Sequence, residues 1–287
     1  MPVEKVLFSI HGVRTDKNRG PLWQDHIDPS FEHIANFTHE PHSYRYFEFW
    51  EAGFEKPRNE VIEEFSTWYD SWWQKTKVVP SVIGHSFGSY VASVALLRFT
   101  AIRYDRLILC GSIVDQDYDW SAMLEAGRVR EVLNERAGDD WVVKLFRTGL
   151  LRSQIPHSGP SGLDGFHQKH PRLQERDNPL FKHSDHFVLR SHCDRFWRPF
   201  IFGNVEFAAL CDAARQGDTA ARRALRHLCE PLLIEVLDLL LPGERSPAFL
   251  AHLLKVMADE GAAGIQPARD LAMSIVSAYY LEKAKWL

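Results

Sequence analysis

The sequence lacks the features that define several classes of protein. Its four cysteines, Cys110, Cys193, Cys211 and Cys229, show no CxxC spacing. This argues against a structural zinc site or a disulfide framework and is typical of a reducing compartment. No apolar run approaches the roughly 20 residues that cross a bilayer, and the first residues are too few and too acidic for a signal peptide. We therefore expect a cytoplasmic protein without a transmembrane segment.

The sequence also lacks a marked excess of either charge and any repeat of fixed period. Its 34 Lys and Arg residues against 38 Asp and Glu residues give a net charge of −4, so there is no basic surplus of the kind that binds nucleic acid. The apolar fraction of 45% is ordinary for a globular protein. A chain of 287 residues is long enough to bury one large core, or one core with a small appendage.

What the chain does contain is an alternation of short apolar runs with helical patterns. Strands are predicted in KVLFSIHG, SYRYFEFW, VPSVIG, YDRLILCGSIV and VREVLNE, and helices in PLWQDHIDPSFEHIANF, NEVIEEFSTWYDSWWQK, SYVASVALLRF and DWVVKLFRTGLL. This alternation predicts an α/β fold with a doubly wound, mostly parallel sheet. Residues 153–179 are rich in Gly, Pro, His and Ser and are predicted to form one long loop.

The composition changes after Gly203. The remaining segments are rich in leucine and alanine at helical spacing, with breaks at Pro231, Pro242 and Gly264. We predict two domains: an α/β domain over residues 1–203 and a helical C-terminal extension over residues 204–287. The apolar helices of the extension fit association with a protein partner or formation of a homo-oligomer, and they fit packing onto the α/β domain equally well.

One short motif indicates chemistry. Gly84, His85, Ser86, Phe87 and Gly88 match GxSxG, and they stand between a predicted strand and a predicted helix. That context is typical of a nucleophile elbow, a sharp turn that raises a serine hydroxyl above the edge of a sheet. The helix that follows also directs its N-terminal amides toward a developing oxyanion.

With this motif the sequence resembles the α/β-hydrolase family, in its serine esterase and lipase branch, over roughly residues 4–200. A second matching feature is His11-Gly12 at the end of the first predicted strand. The resemblance implies an oxyanion hole formed by the backbone N–H groups of Val13 and Phe87. It makes His11, Gly12 and Arg14 candidates for substrate binding, although we expect the side chain of His11 to brace the loop.

The resemblance also implies an acid after a later strand and a histidine near the end of the domain. Asp139 and Asp140 both follow the predicted fifth strand, and the pattern D-x-V selects Asp140. The alternative role for either aspartate is to cap the next helix. Asp115 and Asp117, after the preceding strand, remain alternatives.

For the base, 14 histidines are available, so position has to decide. In the segment NPLFKHSDHFVLRSHCDRFW, His183 and His186 lie between an apolar run and an amphipathic helix. The sequence HSD followed by an aromatic residue resembles the family pattern and favours His183, with His186 as the second candidate.

Together these residues predict a serine hydrolase that cleaves a carboxylic ester of a small molecule or a lipid through an acyl-enzyme. Ser86 would attack, His183 would move the proton, and Asp140 would orient the imidazole. This mechanism requires no cofactor or metal. The HxxH spacings at His167/His170 and His183/His186 do not indicate a metal site, because they lack any cysteine or HExxH context.

Two other hypotheses remain open at this point. One is a binding or signalling module that keeps the fold without turnover, which the complete set of serine, aspartate and histidine disfavours. The other is an effector that a partner activates, with the helical extension mediating the association.

Overall fold

The computed structural model describes residues 5–13, 23–31, 37–44, 49–147, 151–188, 192–198 and 200–202. The chain divides into two units, Met1–Arg190 and Ser191–Leu287. In the second unit the described residues contain a π-helical turn, Cys193–Trp197, and the helical extension predicted over 204–287 lies outside the described residues. None of the described helices is both long and apolar enough to cross a membrane.

Six strands of the first unit form one sheet in the order β2-β1-β3-β4-β5-β6, and every pairing is parallel. The strands are β1 (Lys5–Ile10), β2 (Phe37–His42), β3 (Ser81–His85), β4 (Tyr104–Cys110), β5 (Val129–Ala137) and β6 (Leu173–Asn178). The described helices are α1 (Trp23–Phe31), α2 (Glu55–Thr76), α3 (Phe87–Arg98), α4 (Trp120–Glu125), α5 (Trp141–Arg147), α6 (Ser161–Asp164) and α7 (Asp185–Val188). The predicted α/β class with a doubly wound parallel sheet is confirmed.

The central strand β1 shows how the helices cover the sheet. Val6, Phe8 and Ile10 alternate along the strand and share one buried core with α2 and α3, as expected from the period of two. The ring of Phe8 lies 4.2 Å from the ring of Trp68 and 5.7 Å from that of Trp72, centroid to centroid. Phe65 and Tyr69 of α2 are therefore core residues, the partly buried tryptophans of α2 pack against this core, and the burial of these rings stabilises the α2 side of the sheet.

The second strand precedes the predicted segment SYRYFEFW, and the described residues of that segment do not lie in a strand. The second strand is Phe37–His42, and Phe49–Gly53 form a 3₁₀ turn, while residues 45–48 lie outside the described residues. The real strand contains Pro41 and few apolar side chains, because β2 is an edge strand that pairs with β1 alone. A proline is tolerated at an edge, where its missing N–H leaves the ladder intact.

The prediction of one long loop over 153–179 is wrong, because this segment contains α6 and β6. β6 has the sequence LQERDN and forms the opposite edge of the sheet. Its polar side chains have partners on β5: Asn178 Nδ2 donates to the buried Glu135 at 2.8 Å, and Arg176 forms an ion pair with the same carboxylate. This strand brings residues 179–184 to the carboxyl edge of the sheet.

Candidate active site

The order of the strands creates a crevice beside β1. The chain passes from β1 outward to β2 on one side and then to β3 on the other. In open parallel sheets, ligands bind outside the carboxyl ends of the strands at such a reversal. Ile10 is paired with Gly84, so His11-Gly12, after β1, and Ser86, after β3, leave the sheet side by side at this crevice.

Ser86 joins β3 directly to α3 in a strained turn. Its φ of 54° and ψ of −120° lie in a region that residues other than glycine rarely adopt, at a cost of about 1–3 kcal/mol. The Ser86 N–H donates to the carbonyl of Cys110 at 3.0 Å, which ties the turn to the neighbouring strand. Such strain persists only where the surrounding structure holds it, and it is characteristic of functional sites.

The two glycines of the motif are required by close backbone contacts. A Cβ on Gly88 would collide with the carbonyl group of Ile10, and one on Gly84 would lie 2.8 Å from the carbonyl oxygen of Gly88. The beginning of α3 is therefore packed directly against the end of β1. Larger residues at either position would force the turn open.

The backbone of the His11-Gly12 loop lies against the side chain of Ser86. A Cβ on Gly12 would be 2.9 Å from Cβ and 3.3 Å from Oγ of Ser86. Val13 follows in this loop, and Phe87 begins α3, a helix of 12 residues whose N-terminal end carries partial positive charge. The serine side chain thus lies next to the main chain of Gly12, at the N-terminal end of α3.

His11 is fully buried and braces its own loop. Its Nδ1 donates to the carbonyl of Gly12 at 2.7 Å, and its carbonyl accepts a hydrogen bond of 2.7 Å from the hydroxyl of Tyr44. The rings of His11 and Tyr44 are 4.0 Å apart. Arg14, the third residue predicted to bind substrate, lies outside the described residues.

His183 and Asp140 are joined by a hydrogen bond of 2.7 Å between Nδ1 and Oδ2. The other oxygen of this fully buried carboxylate accepts from the backbone N–H groups of Val142 and Val143, each at 2.9 Å. Asp140 therefore caps α5 and holds His183 at the same time. Because a carboxylate only accepts, Nδ1 of His183 carries the proton of this hydrogen bond.

The alternative acids have partners elsewhere. Asp139 is 60% exposed and forms an ion pair with Lys144 at 3.1 Å. Asp115 bonds Arg152 at 2.9 Å, and Asp117 bonds His167 at 2.7 Å.

The remaining histidines singled out in the sequence have other neighbours. His170 bonds Glu125 at 2.8 Å, so His167 and His170 each face a separate surface carboxylate. His186 lies in α7, with its ring 5.3 Å from that of Phe181.

His183 makes two contacts near the elbow that no sequence motif indicates, one with His85 and one with Gly111. The carbonyl of His183 accepts a hydrogen bond of 3.0 Å from Nε2 of His85. A Cβ on Gly111 would lie 2.9 Å from both Nδ1 and Cε1 of His183, so the imidazole rests on the glycine that follows β4. Among the described residues, Ser86 Oγ and the His183 ring are not hydrogen-bonded, and such bonds are often long before substrate binds.

A second set of serine, histidine and aspartate is hydrogen-bonded between β1, β2 and α1, on the side of β1 that faces away from β3. Ser9 Oγ is 2.6 Å from Nε2 of His39, and Nδ1 of His39 is hydrogen-bonded to the carboxylate of Asp28. Ser9 is fully buried in the middle of β1, and its carbonyl accepts from Gln24 of α1. No local motif marks this set, because its members come from two strands and a helix.

The fold defines a class, the α/β proteins with a doubly wound parallel sheet. No protein-family model matches the sequence, and no curated protein matches it significantly. Among solved structures, the chain is similar to TT1662 from Thermus thermophilus, at 14% sequence identity and a TM-score of 0.40, over 63% of this chain and 82% of that one.

Proposed function

We propose that this chain is a serine hydrolase of the α/β-hydrolase type that cleaves a carboxylic ester through an acyl-enzyme. The observation that carries the proposal is the hydrogen bond between His183 and Asp140 beside a serine held at positive φ between a strand and a helix. Each of the three residues follows a different strand of one sheet, β3, β5 and β6. The carboxyl ends of parallel strands meet at one edge, so this order suits a shared site.

In the first step Nε2 of His183 takes the proton of Ser86 as Oγ bonds to the ester carbon. Asp140 holds the ring in the tautomer that leaves Nε2 free to accept, and its negative charge stabilises the imidazolium. The imidazolium then gives the proton to the departing alkoxide oxygen as the C–O bond breaks. An alcohol leaves, and the acyl group remains on Ser86.

Water completes the cycle with the same groups. His183 takes a proton from water as the water oxygen attacks the acyl carbon, and the proton then returns to Oγ of Ser86 when the carboxylic acid leaves. In both steps the carbonyl oxygen becomes negative. The N–H groups of Val13 and Phe87 are the donors we assign to it, and one such donor is worth about 2.7–4 kcal/mol in turnover.

A fluorophosphonate probe tests the proposal, because it phosphonylates a serine only where a base and an oxyanion hole activate it. We expect the full chain to gain the mass of one probe, with the adduct on the peptide containing Ser86. Ser86→Ala should abolish labelling. Ser9→Ala is the matched control, because Ser9 belongs to the buried second set, and it should label like the unmodified protein.

Hydrolysis of p-nitrophenyl esters of increasing acyl length should follow the same pattern among these variants. Absence of both labelling and ester hydrolysis in the unmodified protein would contradict the proposal. Labelling that persists in Ser86→Ala would assign the nucleophile to another residue.

A further inference from the structure

His85 lies between the proposed nucleophile and the proposed base, although the reaction above does not use it. It precedes Ser86 as the last residue of β3. Its Nε2 is 3.0 Å from the carbonyl oxygen of His183, and the centroids of the two rings are 4.7 Å apart. One side chain thus connects the elbow to the segment that carries His183, across 98 positions of sequence.

The direction of this hydrogen bond fixes the state of the His85 ring. A carbonyl oxygen only accepts, so Nε2 of His85 must carry the proton and donate. Burial is the main reason that the pKa of His85 lies well below its usual value, and the neighbouring His183 lowers it further. His85 therefore stays neutral at neutral pH and places no positive charge beside the imidazolium that His183 must form.

Aromatic rings hold His85 in this orientation. Phe187 of α7 meets its ring edge-on at 4.9 Å, and Trp23 of α1 meets it edge-on at 5.9 Å. The rings of Trp23 and Phe187 also pack together at 5.1 Å. His85 is buried as a result, so its N–H has a carbonyl partner in place of water.

We propose that His85 is a positioning residue whose Nε2–H holds the main chain of His183 at a fixed distance from Ser86. This inference rests on the proposed function. The bond acts on the backbone of His183, and the bond from Asp140 acts on its ring, so the imidazole is fixed at two points. Loss of the backbone contact lets the segment shift, and a displacement of about 1 Å costs on the order of 100-fold in rate.

The test compares two substitutions of nearly equal size. His85→Gln keeps an N–H close to the position of Nε2, whereas His85→Leu keeps the apolar volume between Trp23 and Phe187 and loses the donor. We expect His85→Leu to lower the fluorophosphonate labelling rate and kcat for a p-nitrophenyl ester by roughly 10- to 100-fold, with KM changed less than kcat. His85→Gln should recover most of this loss.

A second measurement is independent of activity. The proton between His183 Nδ1 and Asp140 should give a downfield ¹H NMR signal, identified by its loss in Asp140→Asn. We expect this signal to broaden or shift in His85→Leu and to return toward its original position in His85→Gln. If His85→Leu does not fold, His85→Asn replaces it, because its shorter amide does not reach the carbonyl of His183.

Three outcomes overturn the role of His85. They are an unchanged labelling rate in His85→Leu, equal losses in the Leu and Gln variants, or an NMR signal that neither variant moves. Failure of the unmodified protein both to label and to hydrolyse esters is a different result. It removes the proposed function, and the NMR comparison still decides whether His85 holds His183.

Discussion

Two sets of serine, histidine and aspartate lie on the same sheet. They share their residue types and differ in their hydrogen bonds and in the backbone conformation of the serine. Ser9, His39 and Asp28 form a continuous hydrogen-bonded chain. In the other set, His183 is bonded to Asp140, and Ser86 stands beside them at the end of β3. By hydrogen bonding alone, the first set is the more complete of the two.

The backbone of each serine separates the two sets. Ser9 lies in the interior of β1, paired with Pro41 on one side and Ile83 on the other, so its hydroxyl is enclosed by the sheet and α1. Ser86 has left the sheet at φ 54° and begins a helix, with Gly12 in contact with its side chain. A nucleophile needs space for a carbonyl carbon and donors for its oxygen, and a residue inside a strand has neither.

We infer that the surroundings of the serine separate a reactive set from a structural one. The Ser9 set joins β1, β2 and α1 through hydrogen bonds. We expect these bonds to contribute to the stability of the fold. The Ser86 set is built around the strained turn at which the chain leaves the sheet. A stable core alone does not require such a turn. Substitutions at matched positions should therefore have opposite consequences in the two sets.

The largest contrast is expected between the two aspartates. Asp140→Asn should lower kcat for a p-nitrophenyl ester by about 10⁴-fold, because the amide favours the wrong tautomer of His183. Asp28→Asn should leave kcat unchanged, because Asp28 orients a histidine that meets a buried serine. Steady-state kinetics of both variants decide this, and near-normal turnover in Asp140→Asn would assign the acid role to another residue.

A smaller effect is expected on stability when the pH is lowered, and it arises at His42, the last residue of β2. Burial, with a smaller contribution from His11, lowers the pKa of His42 from 6.5 to about 4. Between pH 6.5 and pH 4, His42 binds a proton in the unfolded chain but not in the folded chain. The contribution of His42 to stability is therefore fully present above pH 6.5 and is lost as the pH falls toward 4. The full loss from this group is on the order of 3 kcal/mol.

Urea unfolding at pH 7 and pH 4.5 measures this loss. The variant His42→Phe should show a smaller decrease over the same interval, because it keeps an aromatic ring among Tyr44, Phe65 and Trp68 and does not titrate. Equal decreases in both proteins would exclude His42 as the cause.

The smallest effect is expected at Ser9. Ser9→Ala removes the hydroxyl that bonds His39 at 2.6 Å and should lower the free energy of unfolding by about 1–2 kcal/mol. Turnover should not change. Urea unfolding combined with ester kinetics checks both halves of the prediction, and a loss of turnover without a loss of stability would contradict the structural role of this set.

The sequence predicts those parts of the molecule whose signals are local. The strands β1, β3 and β4 contain short apolar runs, β5 carries apolar residues at Val129, Val132 and Leu133, and GxSxG lies within five adjacent residues. The edge strands β2 and β6 escape prediction because each has one neighbouring strand and carries mostly polar side chains, and β2 also contains Pro41. The aromatic segment SYRYFEFW has a composition typical of a strand, although its described residues 43, 44, 49 and 50 do not lie in one.

Long-range pairings are the other part that the sequence leaves open. The residues Asp140 and His183 are suggested by their order along the chain and by a family resemblance, whereas the contact between them depends on where β5 and β6 end. The bonds from His85 to His183 and from Ser9 to His39 join residues with no shared motif. Only the register of the strands brings them together.

The contact between Gly88 and the carbonyl of Ile10 has a consequence for protein engineering. The geometry around Ser86 is set by main-chain atoms of β1, β3 and α3 that touch one another without intervening side chains. A library intended to change substrate preference should therefore hold positions 12, 84, 88 and 111 constant and vary the side chains around the crevice. Selection can then search for substrates of the proposed enzyme on a scaffold in which the main chain around Ser86 stays in place.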